Sequence, residues 1–187
     1  MNTARLAAAR ALLSLERGRT TLMAETDRER TDIADVRDRA LFLEITAGTM
    51  RWRAEIDACL AAASRRPVED LMPEVRAVLR SGAYQLLHLD RVPAHAAVSE
   101  SVEVVRAIGK PRAAGLVNAV LRRLTDPNGR RALPPRPPEG ASDDAALDYL
   151  SVTLSHPRWL VQRWVNGGTN AGILIASSTN SDGMRGE

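Results

Sequence analysis

Up to about residue 125, apolar residues recur at helical spacing and almost never alternate with polar ones. The first stripe, Leu6, Ala9, Leu12 and Leu13, predicts a helix from a Thr3 cap to about Arg17, with Gly18 as its stop. Arg5, Arg10 and Arg17 fall largely outside that stripe. A shorter helix is predicted over Thr20 to Glu29. Asp32 or Asp35 can cap the next one, which carries Ala40, Leu41, Leu43, Glu44 and Ile45. Gly48 is expected to interrupt it, with a continuation through Trp52, Ile56 and Leu60 to Ala63, closed by Pro67. Pro73 stands near the start of a strong helix in which Val75, Val78, Leu79, Leu86 and Leu87 keep helical spacing and Arg91-Val92-Pro93 ends the run. Helices over Ala94 to Ile108, stopped by Gly109, and over Arg112 to Leu124 complete a set that reads as all-α.

The pattern changes after Asp126. A turn over Asp126 to Arg131 leads into Pro134, Pro135, Pro137 and Pro138, a stiff extended run. A smaller helical unit then begins near Asp143. Trp159, Leu160, Val161, Trp164 and Val165 lie on its helix, and Gly167-Gly168 is its expected stop. A weak apolar segment, Ala171 to Ala176, precedes a polar tail. The expected division is a helical domain over 1–126, a proline-rich linker over 127–142 and a short helical unit over 143–187.

The length of 187 residues suits one domain with a short appendage. Composition adds a bias: of 26 basic residues, 25 are arginine and only Lys110 is lysine. Arginine matches phosphates and base edges with a planar, two-pronged donor set, although a GC-rich genome produces the same excess. Residues 1 to 131 carry 22 basic and 17 acidic side chains, a net of +5, and the remainder carries 4 and 6, a net of −2. A polyanionic partner is therefore expected on the helical domain. The single cysteine, Cys59, excludes a disulfide scaffold and a cysteine zinc cluster, and fits a reducing compartment. There is no run of 18 apolar residues for a membrane span, and the N-terminus lacks a signal peptide's clean apolar stretch, so a cytoplasmic protein is expected.

Residues for catalysis are scarce. His88, His95 and His156 lie far apart, with no metal-ligand spacing among them. His88 ends an apolar helix and His156 precedes a proline, so packing and capping roles are expected. Cys59 sits on the apolar side of a helix with no basic neighbour to activate it. Neither a dinucleotide-binding glycine motif nor a Walker motif is present. No catalytic or metal-binding residue is expected. The basic clusters are more informative: Arg5 and Arg10 with Arg17 and Arg19, Arg51 and Arg53 around Trp52, and Lys110, Arg112, Arg122 and Arg123 bracketing the last helix of the domain. Each reads either as an RNA-facing patch or as a solvated helix face. Trp52, Tyr84 and Phe42 can stack on bases, but their helical context favours the core, most of all for Phe42. The segment Arg91 to Glu100 feeds a helix whose early turns are small, and it can approach a neighbour or a ligand closely. Asn118 lies within an otherwise apolar helix, which calls first for a buried hydrogen bond to an adjacent loop and second for an RNA contact.

Four ordered segments carry a resemblance. They are Arg37-Asp38-Arg39-Ala40-Leu41 with Gly48-Thr49-Met50-Arg51-Trp52; Leu79 to Leu87; Arg91-Val92-Pro93-Ala94-His95-Ala96-Ala97-Val98; and Gly115 to Arg123. Over about Arg5 to Leu124 the chain resembles the NusB-like helical domain, in the form fused to the front of bacterial 16S rRNA cytosine-C5 methyltransferases. His156-Pro157-Arg158-Trp159-Leu160 with Arg163-Trp164 is similar to the connector that follows that domain in those enzymes. The resemblance implies a NusB-like bundle that binds RNA and docks proteins. Arg5 and Arg10 fall on the RNA-facing helix, and Asn118, with Gly48 and Pro93, falls in the motifs that hold the bundle together. It further implies that S-adenosylmethionine and a catalytic cysteine pair belong to a downstream domain that this sequence does not reach, so no cofactor is expected here. The leading expectation is an RNA-binding, noncatalytic front domain. The alternatives are a free-standing antitermination factor that binds RNA and a small ribosomal protein, a protein–protein scaffold acting as a weak homodimer, and, last, an active methyltransferase.

Overall fold

The computed structural model describes residues 3–18, 20–126, 133–138 and 141–166, and all regular structure among them is helical. The expectations for Arg19, for the Gly167-Gly168 stop and for the Ala171 to Ala176 segment lie outside the described residues. The first unit comprises α1 (Thr3–Glu16), α2 (Leu22–Thr31), α3 (Val36–Arg51), α4 (Arg53–Ser64), α5 (Pro73–His88), α6 (Ala94–Ala107) and α7 (Ala114–Leu124). Short 3-10 turns at Val68–Asp70 and Pro111–Ala113 precede α5 and α7.

The local signals act as their chemistry demands. Gly18 follows α1 at φ +64° and Gly109 follows α6 at φ +86°, the left-handed region where a side chain is strained. Thr21 caps α2 by accepting from the Ala24 N–H, and Asp35, not Asp32, caps α3 by accepting from the N–H groups of Arg37 and Asp38. Pro73 occupies the first turn of α5, where its missing N–H costs no hydrogen bond. The capping side chain expected at Thr3 lies outside what is described.

One boundary differs from expectation. Gly48 does not interrupt its helix; α3 runs through it, and the chain turns at Trp52 before α4. The glycine answers to a distant contact instead, because a Cβ there would lie 2.0 Å from Cζ of Tyr84. Gly82 serves the same end on the next turn of packing. A Cβ there would lie 2.6 Å from Oγ of Ser101 and 2.7 Å from Cδ1 of Leu121, so α5 lies directly against α6 and α7.

The central helix is α5, in which every residue from Ala77 to Gln85 is buried. It packs against α1, α3, α4, α6 and α7. The alanines of α1 (Ala4, Ala7, Ala8 and Ala11) form a smooth face for Ile33, Phe42 and Ile45. Each large apolar side chain buried this way contributes about 1.5–3 kcal/mol. Cys59 is fully buried in α4, as expected of a core cysteine.

The second compact unit begins at Leu133 and has its own small core. Ser142 caps α8 (Asp143–Asp148), a π turn covers Tyr149–Thr153, and α9 (Arg158–Asn166) follows. Ala146, Leu147, Leu150 and Val161 form that core, with Tyr149, Leu154, Trp164 and Val165 at its margin. The proline run is joined to this unit: the Thr153 hydroxyl donates to the carbonyl of Pro134 at 2.7 Å. The ring of His156 meets Trp164 edge-on at 6.2 Å.

Candidate nucleic-acid interface

Before any basic residue can meet a polyanion, those engaged inside the bundle must be set aside. The foremost is Arg80, 3% exposed at the middle of α5. Its Nε and Nη2 donate to the two carboxylate oxygens of Asp57 on α4, at 2.6 and 2.7 Å, and its Nη1 donates to Glu16 on α1. Arg76 adds a second bond to Glu16 at 2.9 Å, and Arg53 lies 3.7 Å from Asp57. Burial pulls the Arg80 pKa down, but Asp57 and Glu16 more than offset it, so the guanidinium is held charged more firmly than usual. This network of α1, α4 and α5 was not anticipated from the sequence. Its one signal is a charged residue within the apolar stripe of a helix that proves to be buried all round.

Two candidate RNA residues are likewise engaged. Lys110 stands 3.8 Å from Oε1 of Glu74, which Arg17 also reaches at 3.0 Å. Arg5 is half-buried and turned inward, its Nε donating to Oε1 of Gln85 on the central helix at 2.7 Å. It ties α1 to α5.

Arg10, Arg51, Arg112, Arg122 and Arg123 are exposed, and among the described residues no carboxylate pairs with any of them. They are not gathered on one element. Arg10 is mid-way along α1 and Arg51 is at the end of α3, its guanidinium carbon 5.7 Å over the Trp52 ring. Arg112 precedes α7, whereas Arg122 and Arg123 close it, about 15 Å away along the helix axis. Trp52 is stacked on His88 at 4.8 Å, and His88 on Tyr84 at 5.2 Å. Nε2 of His88 lies 2.8 Å from Oε2 of Glu55. Phe42 is fully buried and Tyr84 nearly so, which leaves neither for stacking on a base.

The end of α7 is the richest basic site. Arg123 Nη1 donates to the Ala63 carbonyl at 2.7 Å, one of the unpaired acceptors at the C-terminus of α4. Arg65 and Arg66, both exposed, follow immediately on that chain. Sequence reading missed these two, taking the segment only as the end of a helix before Pro67. Beside it on α7, Arg122 Nε donates to Oδ1 of Asn118 at 3.2 Å. Asn118 therefore does not make the expected buried bond to an adjacent loop; it is half-buried and bonds along its own helix. It also lines a groove of about 340 Å³ between α6 and α7, with Ala94, His95, Val98, Ser99, Arg122 and Thr125. Pro93 stands as the N-cap of α6.

A small all-helical bundle with an arginine-rich end is the class that fold and site define. The NusB family model matches residues 2–126, and the chain belongs to the NusB family. Among its relatives, ribosomal RNA small subunit methyltransferase B of Pseudomonas putida is 38% identical over 157 residues, which cover 83% of this chain and 33% of that protein. The protein of the same name from Xanthomonas campestris is 45% identical over 120 residues, 64% of this chain and 27% of the relative. That of Vibrio vulnificus is 33% identical over 126 residues, with shares of 67% and 27%. The chain thus spans about a third or less of the length of the curated relatives it matches. No described helix is long and apolar enough to cross a membrane.

Proposed function

We propose that this chain binds RNA through its NusB-family unit, and that it acts as the noncatalytic front of a methyltransferase working on small-subunit ribosomal RNA. The observation that carries the reading is the end of α7, where Arg65, Arg66, Arg122 and Arg123 stand exposed with no carboxylate partner among the described residues. An exposed arginine whose charge no carboxylate offsets is poised for phosphate, whereas the engaged set around Arg80 and Glu74 is not. The names of the relatives supply the substrate class. Methyl transfer, and the S-adenosylmethionine it consumes, belong in this reading to the part of the relatives that the chain does not match.

The test is titration with single-stranded, loop and duplex RNA across a salt series. Single-stranded or loop RNA should bind best, with log K falling by about 0.7 per unit of log salt for each phosphate held. Replacing Arg66 and Arg122 by alanine should lower that slope by about 0.7 for each phosphate no longer neutralised. Arg10→Ala should lower it too if the first helix shares the footprint. Failure of the wild-type chain to bind RNA even at low salt overturns the proposal. Co-purification with a small ribosomal protein would instead favour the free-standing antitermination reading.

A further inference from the structure

The groove between α6 and α7 has a composition that the bundle itself does not require. Its lining side chains include one full positive charge, Arg122, one imidazole, His95, one amide, Asn118, and two hydroxyls, Ser99 and Thr125, with Ala94 and Val98 as an apolar floor. No carboxylate lines it. Its volume, about 340 Å³, lies at the lower end of the range for small-molecule sites.

The hydrogen bonds already present dictate what each group still offers. Arg122 uses Nε on Asn118, leaving both terminal guanidinium nitrogens for a ligand. Asn118 accepts through Oδ1, so its amide nitrogen remains as a donor. Ser99 donates to the Ala96 carbonyl at 3.2 Å and Thr125 to the Arg122 carbonyl at 2.7 Å, so both hydroxyl oxygens are left as acceptors. The groove therefore presents cationic and amide donors from α7 and neutral acceptors beside them, over an apolar floor. A phosphate matches the donors, a ribose 2′-hydroxyl matches the acceptors, and a base or sugar face matches the floor.

We infer that this groove is a pocket for one unpaired nucleotide of the bound RNA, with its phosphate on Arg122 and the Asn118 amide and its ribose beside Ser99 and Thr125. The inference rests on the RNA-binding reading and refines it: the arginines at the α7 end supply general phosphate affinity, and the groove supplies the preference for an unpaired ribonucleotide. Duplex RNA holds its nucleotides in the stack and cannot deliver one into the groove without unpairing it.

The experiment fills the groove without removing charge. Ser99→Phe places a ring in it, and Ala119→Phe places the same ring on the exposed face of α7 outside it. The probes are an oligouridine of about 12 nucleotides and its deoxy counterpart. Wild type should prefer the ribo form. Ser99→Phe should bind it about tenfold more weakly, with the salt slope reduced by about 0.7, and should lose the ribo preference; Ala119→Phe should match wild type. Asn118→Asp, which sets a carboxylate against the phosphate, should weaken binding in the same way and provides a second variant if Ser99→Phe does not fold. Thiouridine-substituted probe, crosslinked and mapped by mass spectrometry, should label the His95 to Ser99 segment. Ser99→Phe or Asn118→Asp with full RNA affinity, while wild type binds, overturns the groove alone and leaves the RNA reading intact. No RNA binding by wild type overturns both.

Discussion

Arg80→Met should destabilise the helical unit by about 3 kcal/mol, the lower end of what breaking a buried ion pair costs. Methionine fills much of the same volume, so little of the loss comes from packing. It comes from Glu16 and Asp57, whose side chains are 8% and 21% exposed and which lose their shared countercharge. Each keeps a second arginine, Arg76 for Glu16 and Arg53 for Asp57, which places the effect at the lower end of the range. In thermal unfolding followed by circular dichroism, a loss of this size lowers the midpoint by about 10 °C for a unit of this length. Arg80→Lys should recover only part of it, because one ammonium cannot donate two-pronged to Asp57 and still reach Glu16 on another helix. Replacing Glu16, Asp57, Arg76 and Arg80 together by apolar residues should recover most of it, since removing a whole buried ion set is far cheaper than removing one member, and Arg53, half exposed, is left to water. The Arg80 pKa is raised, so its contribution is complete below the unfolded-state value and disappears only as pH climbs through the folded-state value, far above neutrality. Stability should therefore show no dependence on this residue between neutral and moderately alkaline pH. A change of less than about 1 kcal/mol in Arg80→Met would make the network a consequence of the fold and not a support for it.

That network also alters what the charge count means. The net of +5 over residues 1 to 131 treats all basic residues alike, but Arg17, Arg53, Arg76, Arg80 and Lys110 are tied to Glu16, Asp57 and Glu74. Arg28, Arg30 and Arg106 pair with acidic neighbours on their own helices as well, so the basic residues without a carboxylate partner are a smaller set, recognisable only once the helices are packed. Arg123 becomes part of an arginine cluster because α7 lies against the end of α4, bringing it to the carbonyl of Ala63 beside Arg65 and Arg66. Nothing near residue 63 in the sequence announces this. Helix limits were legible wherever the decisive group is local, as at Asp35, Pro73, Gly18 and Gly109. They were illegible where a distant side chain decides. Gly48 reads as a break because isolated glycine weakens a helix, and only the packing of α5 on α3 shows that it makes room for Tyr84. Asn118 reads as half of a long-range bond, whereas its partner is Arg122, one turn further along the same helix.

Gly48→Ala turns that close approach into a measurement. In an exposed helix interior the change stabilises by about 1 kcal/mol. Here the sign should reverse, with a net loss of about 3 kcal/mol, as overpacking costs about 1–3 and breaking the hydrogen bond of Tyr84 adds about 1.5–3. The new methyl would stand 2.0 Å from Cζ and 2.2 Å from the hydroxyl oxygen of Tyr84. The ring has nowhere to withdraw: it is 4% exposed, stacked on His88 at 5.2 Å, and its hydroxyl donates to Glu44 at 2.5 Å. Moving it disturbs His88 and, through His88, the stack beneath Trp52. A double-mutant cycle separates ring from backbone. Tyr84→Ala is itself destabilising, but in that background Gly48→Ala should be neutral or stabilising by up to about 1 kcal/mol, giving a coupling of about 3–4 kcal/mol, at or above the top of the usual range of about 0.5–3 kcal/mol. Urea unfolding of the four proteins measures it. If Gly48→Ala costs as much without the Tyr84 ring as with it, the steric account of Gly48 fails and the cost lies in the backbone of α3. If the coupling appears, the glycine is kept by the approach of two helices, and the reading of Gly48 as a helix break is replaced by one of contact.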